Sequence, residues 1–192
     1  MDFIPEHSVW YYFKQGDKDA FESLFKRYYP LLYTYGMKIS NNVDLTEDCL
    51  QSFFLYLFEN RQNLGDVKSL KSYLFISFKR ALIKLLKREF KKVKLQKEHI
   101  GASEFLFSQD ELTAKQDIQF LSNENLHVMI NNLPPREREV IFLKYYSGLT
   151  SQEIAEVMDI NYQSVGNTLQ KAIYKLRKKS ENKIIASILN KI

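Results

Sequence analysis

The stretch Leu133–Arg177, LPPREREVIFLKYYSGLTSQEIAEVMDINYQSVGNTLQKAIYKLR, decides how this chain folds. Pro134-Pro135 fits only the start of a helix, because proline lacks the N–H that an interior turn needs. Val140, Ile141, Leu143 and Lys144 follow on a helical period, and Ser147-Gly148 closes that helix. Thr150-Ser151-Gln152-Glu153 has the form of a capping box, in which Thr150 accepts from the first turn and Glu153 reaches back. A short helix over Ser151 to Met158 is then expected, followed by a tight turn at Asp159-Ile160-Asn161 and a longer helix. Ala155 is small enough for two helices to approach closely. Asp159 sits where the turn wants a left-handed backbone, which Asp tolerates, and Val165 packs back into the corner. This spacing suits a three-helix unit with a helix-turn-helix, although an ordinary helical hairpin also satisfies it.

The faces of the last helix separate the two. At about 100° per residue, Val165, Leu169, Ala172, Ile173 and Leu176 share one stripe. Gln163, Asn167, Gln170, Lys171, Tyr174 and Lys178 gather opposite it. Amides near a helix start can pair bidentately with adenine edges in a major groove, while Lys171, Lys175, Arg177 and Lys178 suit phosphates. A merely solvated face more often carries Glu/Lys pairs than a row of neutral amides. Duplex DNA is therefore the expected ligand, with Gln163, Ser164, Asn167, Gln170, Lys171 and Lys175 as its contacts.

Charge is strongly segregated along the 192 residues, whose net charge is +5. Residues 1–67 carry six Lys/Arg against ten Asp/Glu, and residues 68–97 carry eleven against one. Residues 98–130 have one against six, and residues 131–192 ten against six. Two basic patches, one mid-chain and one terminal, imply two separate contacts with a polyanion. A length of 192 residues allows one large domain or two small ones, and 45% apolar residues exclude wholesale disorder. The single cysteine, Cys49, suits a reducing compartment. No apolar run approaches the ~20 residues of a membrane span. The opening MDFIPEHSVW lacks signal-peptide order, so a cytoplasmic protein is expected.

Every periodic segment is helical, which makes the fold class all-α. Phe21, Leu24, Phe25, Tyr28, Leu32 and Tyr35 recur at three and four, with Pro30 expected to kink or divide that helix. Tyr28, Tyr29, Tyr33 and Tyr35 are expected to pack between helices rather than stack on bases. Asp44-Leu45-Thr46-Glu47 has the form of a second capping box, opening a helix to about Asn60. Leu50, Phe53, Phe54, Leu57 and Phe58 form its buried stripe, with Leu55 isolated on a wet face beside Asp48, Gln51 and Ser52. After a polar loop, NRQNLGDVKS, a long helix interleaves Tyr73, Phe75 and Phe78 with Lys71, Lys79, Arg80, Lys84, Lys87 and Arg88. Cations beside rings suit single-stranded nucleic acid, with stacking worth ~1–3 kcal/mol per base. An amphipathic helix with a basic face, soluble or lying on a membrane, is the alternative. Catalysis is not expected: His7, His99 and His127 are scattered, one cysteine makes no zinc site, and no Gly-rich phosphate loop occurs. No cofactor or metal is expected.

Two stretches resemble bacterial RNA polymerase sigma factors of the extracytoplasmic-function (ECF) group within the sigma-70 family. Leu133-Pro134, Arg138-Glu139-Val140, Leu143, Tyr145, Gly148, Thr150, Glu153-Ile154-Ala155, Met158, Ile160 and Ser164-Val165 fill the family's region 4 pattern. Response-regulator DNA-binding domains share part of it. TEDCLQSFFLYLFE, residues 46–59, resembles region 2, whose helix docks on the clamp of the largest polymerase subunit. The resemblance implies polymerase contacts at Asp48, Gln51, Ser52 and Phe54, with Ser52 standing where a Glu is usual. Leu55, apolar on the same wet face, is added to them as a candidate contact.

Tyr73-Leu74-Phe75 falls where the family melts the minus-10 element, after a loop that captures a flipped base. Asn63, Lys68, Tyr73, Phe75, Lys79 and Arg80 are the expected minus-10 contacts. Arg80 and Lys84 stand where the family commonly has Asn and Asp, the added positive charge favouring the nucleic-acid backbone. The expected organisation is a region 2 domain over residues 1–95, an acidic linker over 96–125 with one short helix around 108–120, and a region 4 domain over 126–192. The linker is either a solubilising tether or a segment threading toward the RNA path, and residues 178–192 are expected to extend the last helix. Implied partners are core RNA polymerase (its clamp and flap), promoter DNA and an anti-sigma factor. The competing functions are a response-regulator-type helix-turn-helix regulator that is no polymerase subunit, and a helical protein-binding adaptor.

Overall fold

The computed structural model describes residues 6–92, 105–107 and 126–179, and among these it contains eight α-helices and no strand. The chain divides into two compact units, Met1–Ser103 and Glu104–Ile192.

The first unit holds α1 (Glu6–Lys14), α2 (Lys18–Ser40), α3 (Val43–Glu59), a 3-10 turn (Arg61–Asn63) and α4 (Leu70–Lys92). Short polar side chains set the helix starts. Asp17 Oδ1 accepts from Ala20 N at 2.8 Å, and Asn42 Oδ1 accepts from Leu45 N at 2.9 Å. Helix α3 therefore begins before the capping box expected at Asp44–Glu47. Thr46 faces inward instead, fully buried, with its hydroxyl donating to Asn42 O at 2.8 Å. Asp44 lies in the first turn, where its charge favours the positive helix end. Asn41, left-handed at φ 50°, closes α2 with its N–H on Met37 O.

Pro30 does not divide α2, which runs unbroken from Lys18 to Ser40. Both Pro30 and Lys26, whose carbonyl it leaves without a donor, are exposed, so water can satisfy that carbonyl. The core is a three-way seam. Leu24, Tyr28, Leu32 and Tyr35 of α2 meet Leu50, Phe53, Phe54 and Leu57 of α3 and Leu74, Phe75, Phe78 and Leu82 of α4, all buried. Each such side chain contributes about 1.5–3 kcal/mol. Gly36 makes the seam tight: a Cβ there would lie 2.8 Å from both Phe78 Cζ and Thr46 Cγ2. Tyr28 and Tyr35 are core residues, while Tyr29 and Tyr33 stack at 6.3 Å along the partly exposed edge of α2. Burial also pushes the Cys49 thiol up to about 11.

The second unit contains α5 (Leu126–Asn131), α6 (Pro135–Ile141) running into a π turn (Phe142–Tyr146), α7 (Ser151–Met158) and α8 (Tyr162–Lys179). Ser147 N bonds back to Phe142 O at 2.9 Å, and Gly148 takes φ 67° as the chain reverses. Arg138 Nη1 donates to Asn131 O, which ties α6 to the end of α5. Phe105 and Phe107, counted in the linker by composition, belong with this unit. Both are buried, edge-on to Phe142 at 5.5 and 6.0 Å. The Asn131 amide pairs with the Phe107 backbone in both directions, at 2.8 and 2.9 Å. The helix expected around 108–120 and the residues after 179 lie outside the described residues.

Candidate nucleic-acid interface

The α7–turn–α8 corner is built from bonds a few residues apart. Thr150 N donates to Glu153 Oε2 at 2.7 Å and Glu153 N to Thr150 Oγ1 at 3.3 Å, which fixes the start of α7. Asp159 ends it in the left-handed region, φ 53° and ψ 51°, and Ile160 N reaches Ala155 O at 3.0 Å. Asn161 then caps α8 through Ser164 N at 2.7 Å, a cap that sequence reasoning passed over although Asn before a helix is its usual mark. Ala155 and Val165 are buried in the corner.

With Val165, Ala172 and Leu176 inward, the opposite face of α8 is set. Gln163, Asn167, Gln170, Lys171, Tyr174 and Lys178 are all exposed along it. Ser164 is only partly exposed, its backbone engaged by Asn161 and by the Thr168 hydroxyl on its carbonyl at 2.7 Å. Lys175 is drawn aside: its ammonium lies 2.6 Å from Glu137 Oε1, joining α8 to α6. A phosphate there would compete with a carboxylate that is itself nearly buried. Tyr162, 61% exposed beside Gln163, was missed, since an aromatic off the buried stripe leaves no periodic signal.

In the first unit, Asn63 and Lys68 are exposed on the segment between α3 and α4, and Arg80 is exposed on α4. Tyr73 is half-buried against Trp10 at 5.5 Å, and burial raises its phenol. The Lys79 ammonium sits 6.0 Å from the centre of the Tyr35 ring. Phe75 corrects the reading: it is fully buried, 5.2 Å from Tyr35, and cannot stack on a base. Arg80, Ile83, Lys84, Lys87 and Arg88 line a shallow groove of about 370 Å³ with an apolar floor. Lys84, Lys87 and Arg88, read from the sequence as cations suited to single-stranded nucleic acid but not placed among the minus-10 contacts, follow Arg80 at four, seven and eight residues and so share its face of α4.

Asp48, Gln51, Ser52 and Leu55 make one exposed edge of α3, with Leu55 at 56% exposure. Phe54 is a second correction. It is 3% exposed and packed among Phe25, Tyr29 and Phe53 at 4.9–6.1 Å, so it supports that edge from beneath. Phe25, 37% exposed, and Tyr56, 55% exposed, are two further apolar groups that sequence reasoning did not place at the surface. Among the described residues no group of three or more His, Cys, Asp and Glu could hold a metal ion, and no helix is long and apolar enough to cross a membrane.

These features align with known proteins. Residues 24–91 match the Sigma-70 region 2 family, and residues 123–176 match Sigma-70 region 4. The chain is 24% identical over 165 residues to RNA polymerase sigma factor YlaC of Bacillus subtilis, covering 84% of this chain and 92% of that one. It is 25% identical over 170 residues to the ECF RNA polymerase sigma factor SigW of the same organism, covering 86% and 91%. Its fold is similar to that of the sigma factor RpoE solved with the anti-sigma factor NepR from Bartonella quintana, with TM-score 0.58 and 17% identity over 86% of this chain and all of that one. CnrH, solved with the cytosolic domain of CnrY, gives TM-score 0.56 and 16% identity over 89% and 94%. Two region matches in order, spanning well over half the sequence on an all-helical two-unit fold, show that the chain belongs to the sigma-70 family of RNA polymerase sigma factors, of the ECF type.

Proposed function

We propose that this protein binds core RNA polymerase and directs it to start at specific promoters, the region 2 unit acting on the minus-10 element and the region 4 unit reading the minus-35 element. The observation that carries this is the exposed row on α8, Gln163, Asn167, Gln170 and Lys171, presented by a capped helix-turn-helix. In this reading the chain has no chemistry of its own, needs no cofactor, and works in the cytoplasm beside the polymerase. The holoenzyme joins two modest DNA contacts into one, which raises their combined affinity through effective concentration. The Bartonella relative's anti-sigma complex supports an inhibitor of the same kind here.

The test is transcription in vitro by purified core polymerase, with and without this chain, on fragments of the genome that encodes it. Defined starts that depend on the chain are expected. A response-regulator-type protein would instead bind its sites unaided and give no start with core enzyme alone.

Two substitutions separate the roles. Changing Asp48 and Gln51 to Ala, both exposed, weakens core association with the unfolding midpoint unchanged. Pull-down by core polymerase at wild-type strength would refute the clamp assignment of α3. Asn167→Ala lowers discrimination among minus-35 sequences by ~1–3 kcal/mol, as expected for a lost base-edge pair. Binding that weakens equally on all sequences would make Asn167 a backbone contact instead.

A further inference from the structure

The segment between α3 and α4 is tied at its centre to α1, more than 50 residues earlier. The Trp10 indole Nε1 donates to the Gly65 carbonyl at 3.2 Å. One turn on, Lys14 Nζ meets Asp66 Oδ1 at 2.8 Å. Trp10 is itself fixed, 2% exposed, with its ring 5.4 Å from Phe13 and 5.5 Å from Tyr73. Gly65 is exposed, and a Cβ there would meet nothing within 4 Å. A glycine so placed has no packing of its own to choose among its many backbone conformations.

We propose that α1 is a strap, with Trp10 and Lys14 as positioning residues that pre-order the 60–69 loop for capture of an extruded base. This rests on the reading of that loop as the base-binding part of the minus-10 contact. Asn63 lies two residues before Gly65, and Lys68 two residues after Asp66, so both candidate contacts hang from the strapped centre. A loop ordered in advance does not lose its conformational freedom at the moment of binding, and affinity for the correct base rises accordingly. The strap acts on recognition while leaving the polymerase edge of α3 untouched.

The experiment uses the full chain in holoenzyme with W10F, which keeps a ring but cannot donate, together with K14Q. The probes are a promoter from which wild-type holoenzyme starts and copies carrying single base changes across its minus-10 element. Discrimination at the base served by the loop is expected to fall about fivefold, the effect of one ordinary hydrogen bond lost. Amide exchange over residues 62–68 should quicken, while affinity for core polymerase and dependence on the minus-35 element hold. K14Q alone gives a smaller loss without risk to the core, and K14R restores it.

Discrimination that survives in W10F/K14Q, while N63A abolishes it, overturns the strap but keeps the loop. If N63A leaves discrimination intact, the base-binding reading of the loop is what fails. Equal loss on every promoter with a lowered unfolding midpoint also overturns the proposal, since that is general destabilisation.

Discussion

Phe75→Ala is expected to destabilise the first unit by about 3–5 kcal/mol, the usual cost of deleting a fully buried ring. Its side chain has no exposed surface and lies against Tyr35 in the seam where α2 meets α4. A small domain has only about 5–15 kcal/mol to lose, so the variant should sit close to its unfolding threshold. The measurement is convenient because Trp10 is the chain's single tryptophan and is buried in this unit. Denaturant titration followed by Trp10 fluorescence should show a much lower midpoint, and promoter opening should fail in proportion to the unfolded fraction. Phe75→Leu, which keeps most of the volume, should cost far less and retain activity. Loss of promoter opening with an unmoved midpoint would return Phe75 to the DNA surface and contradict the burial described above.

That residue also marks where sequence reasoning stops. Helix α7 and its turn were legible because their determinants are local: Thr150 and Glu153 are three residues apart, and Asp159 has a backbone conformation few residue types accept. The inward and outward faces of α8 followed from period alone, because only one side of that helix is covered. Helix α4 is enclosed more widely, and its buried set includes the adjacent Leu74 and Phe75. A positional resemblance therefore named Phe75 as a contact although the fold uses it as core; it named Phe54 too, although the period of α3 had already placed that ring in the buried stripe. Gly36 and the Trp10–Gly65 bond express approach between distant segments, which no spacing rule encodes. The acidic composition of 98–130 likewise hid Phe105 and Phe107, whose role depends on Phe142 and Asn131.

Val165→Asp is expected to do to the second unit what Phe75→Ala does to the first. Val165 has no exposed surface and holds α8 against the corner made by α7. A carboxylate there must either stay charged without water or take up a proton, and both alternatives cost several kcal/mol. A unit this small has little reserve, so the helix-turn-helix should unfold. Circular dichroism should show part of the helical signal lost, with Trp10 fluorescence following the first unit as an internal control. The functional outcome separates recognition from assembly. Starts that need a minus-35 element should vanish, while core polymerase still captures the chain through α3. Asn167→Ala must leave the fold intact and change only which sequences are preferred, because its side chain points away from the core. Should Val165→Asp melt like the wild type and still read its promoter, α8 would not be held by this corner. The amide row would then have no fixed frame from which to read a base sequence.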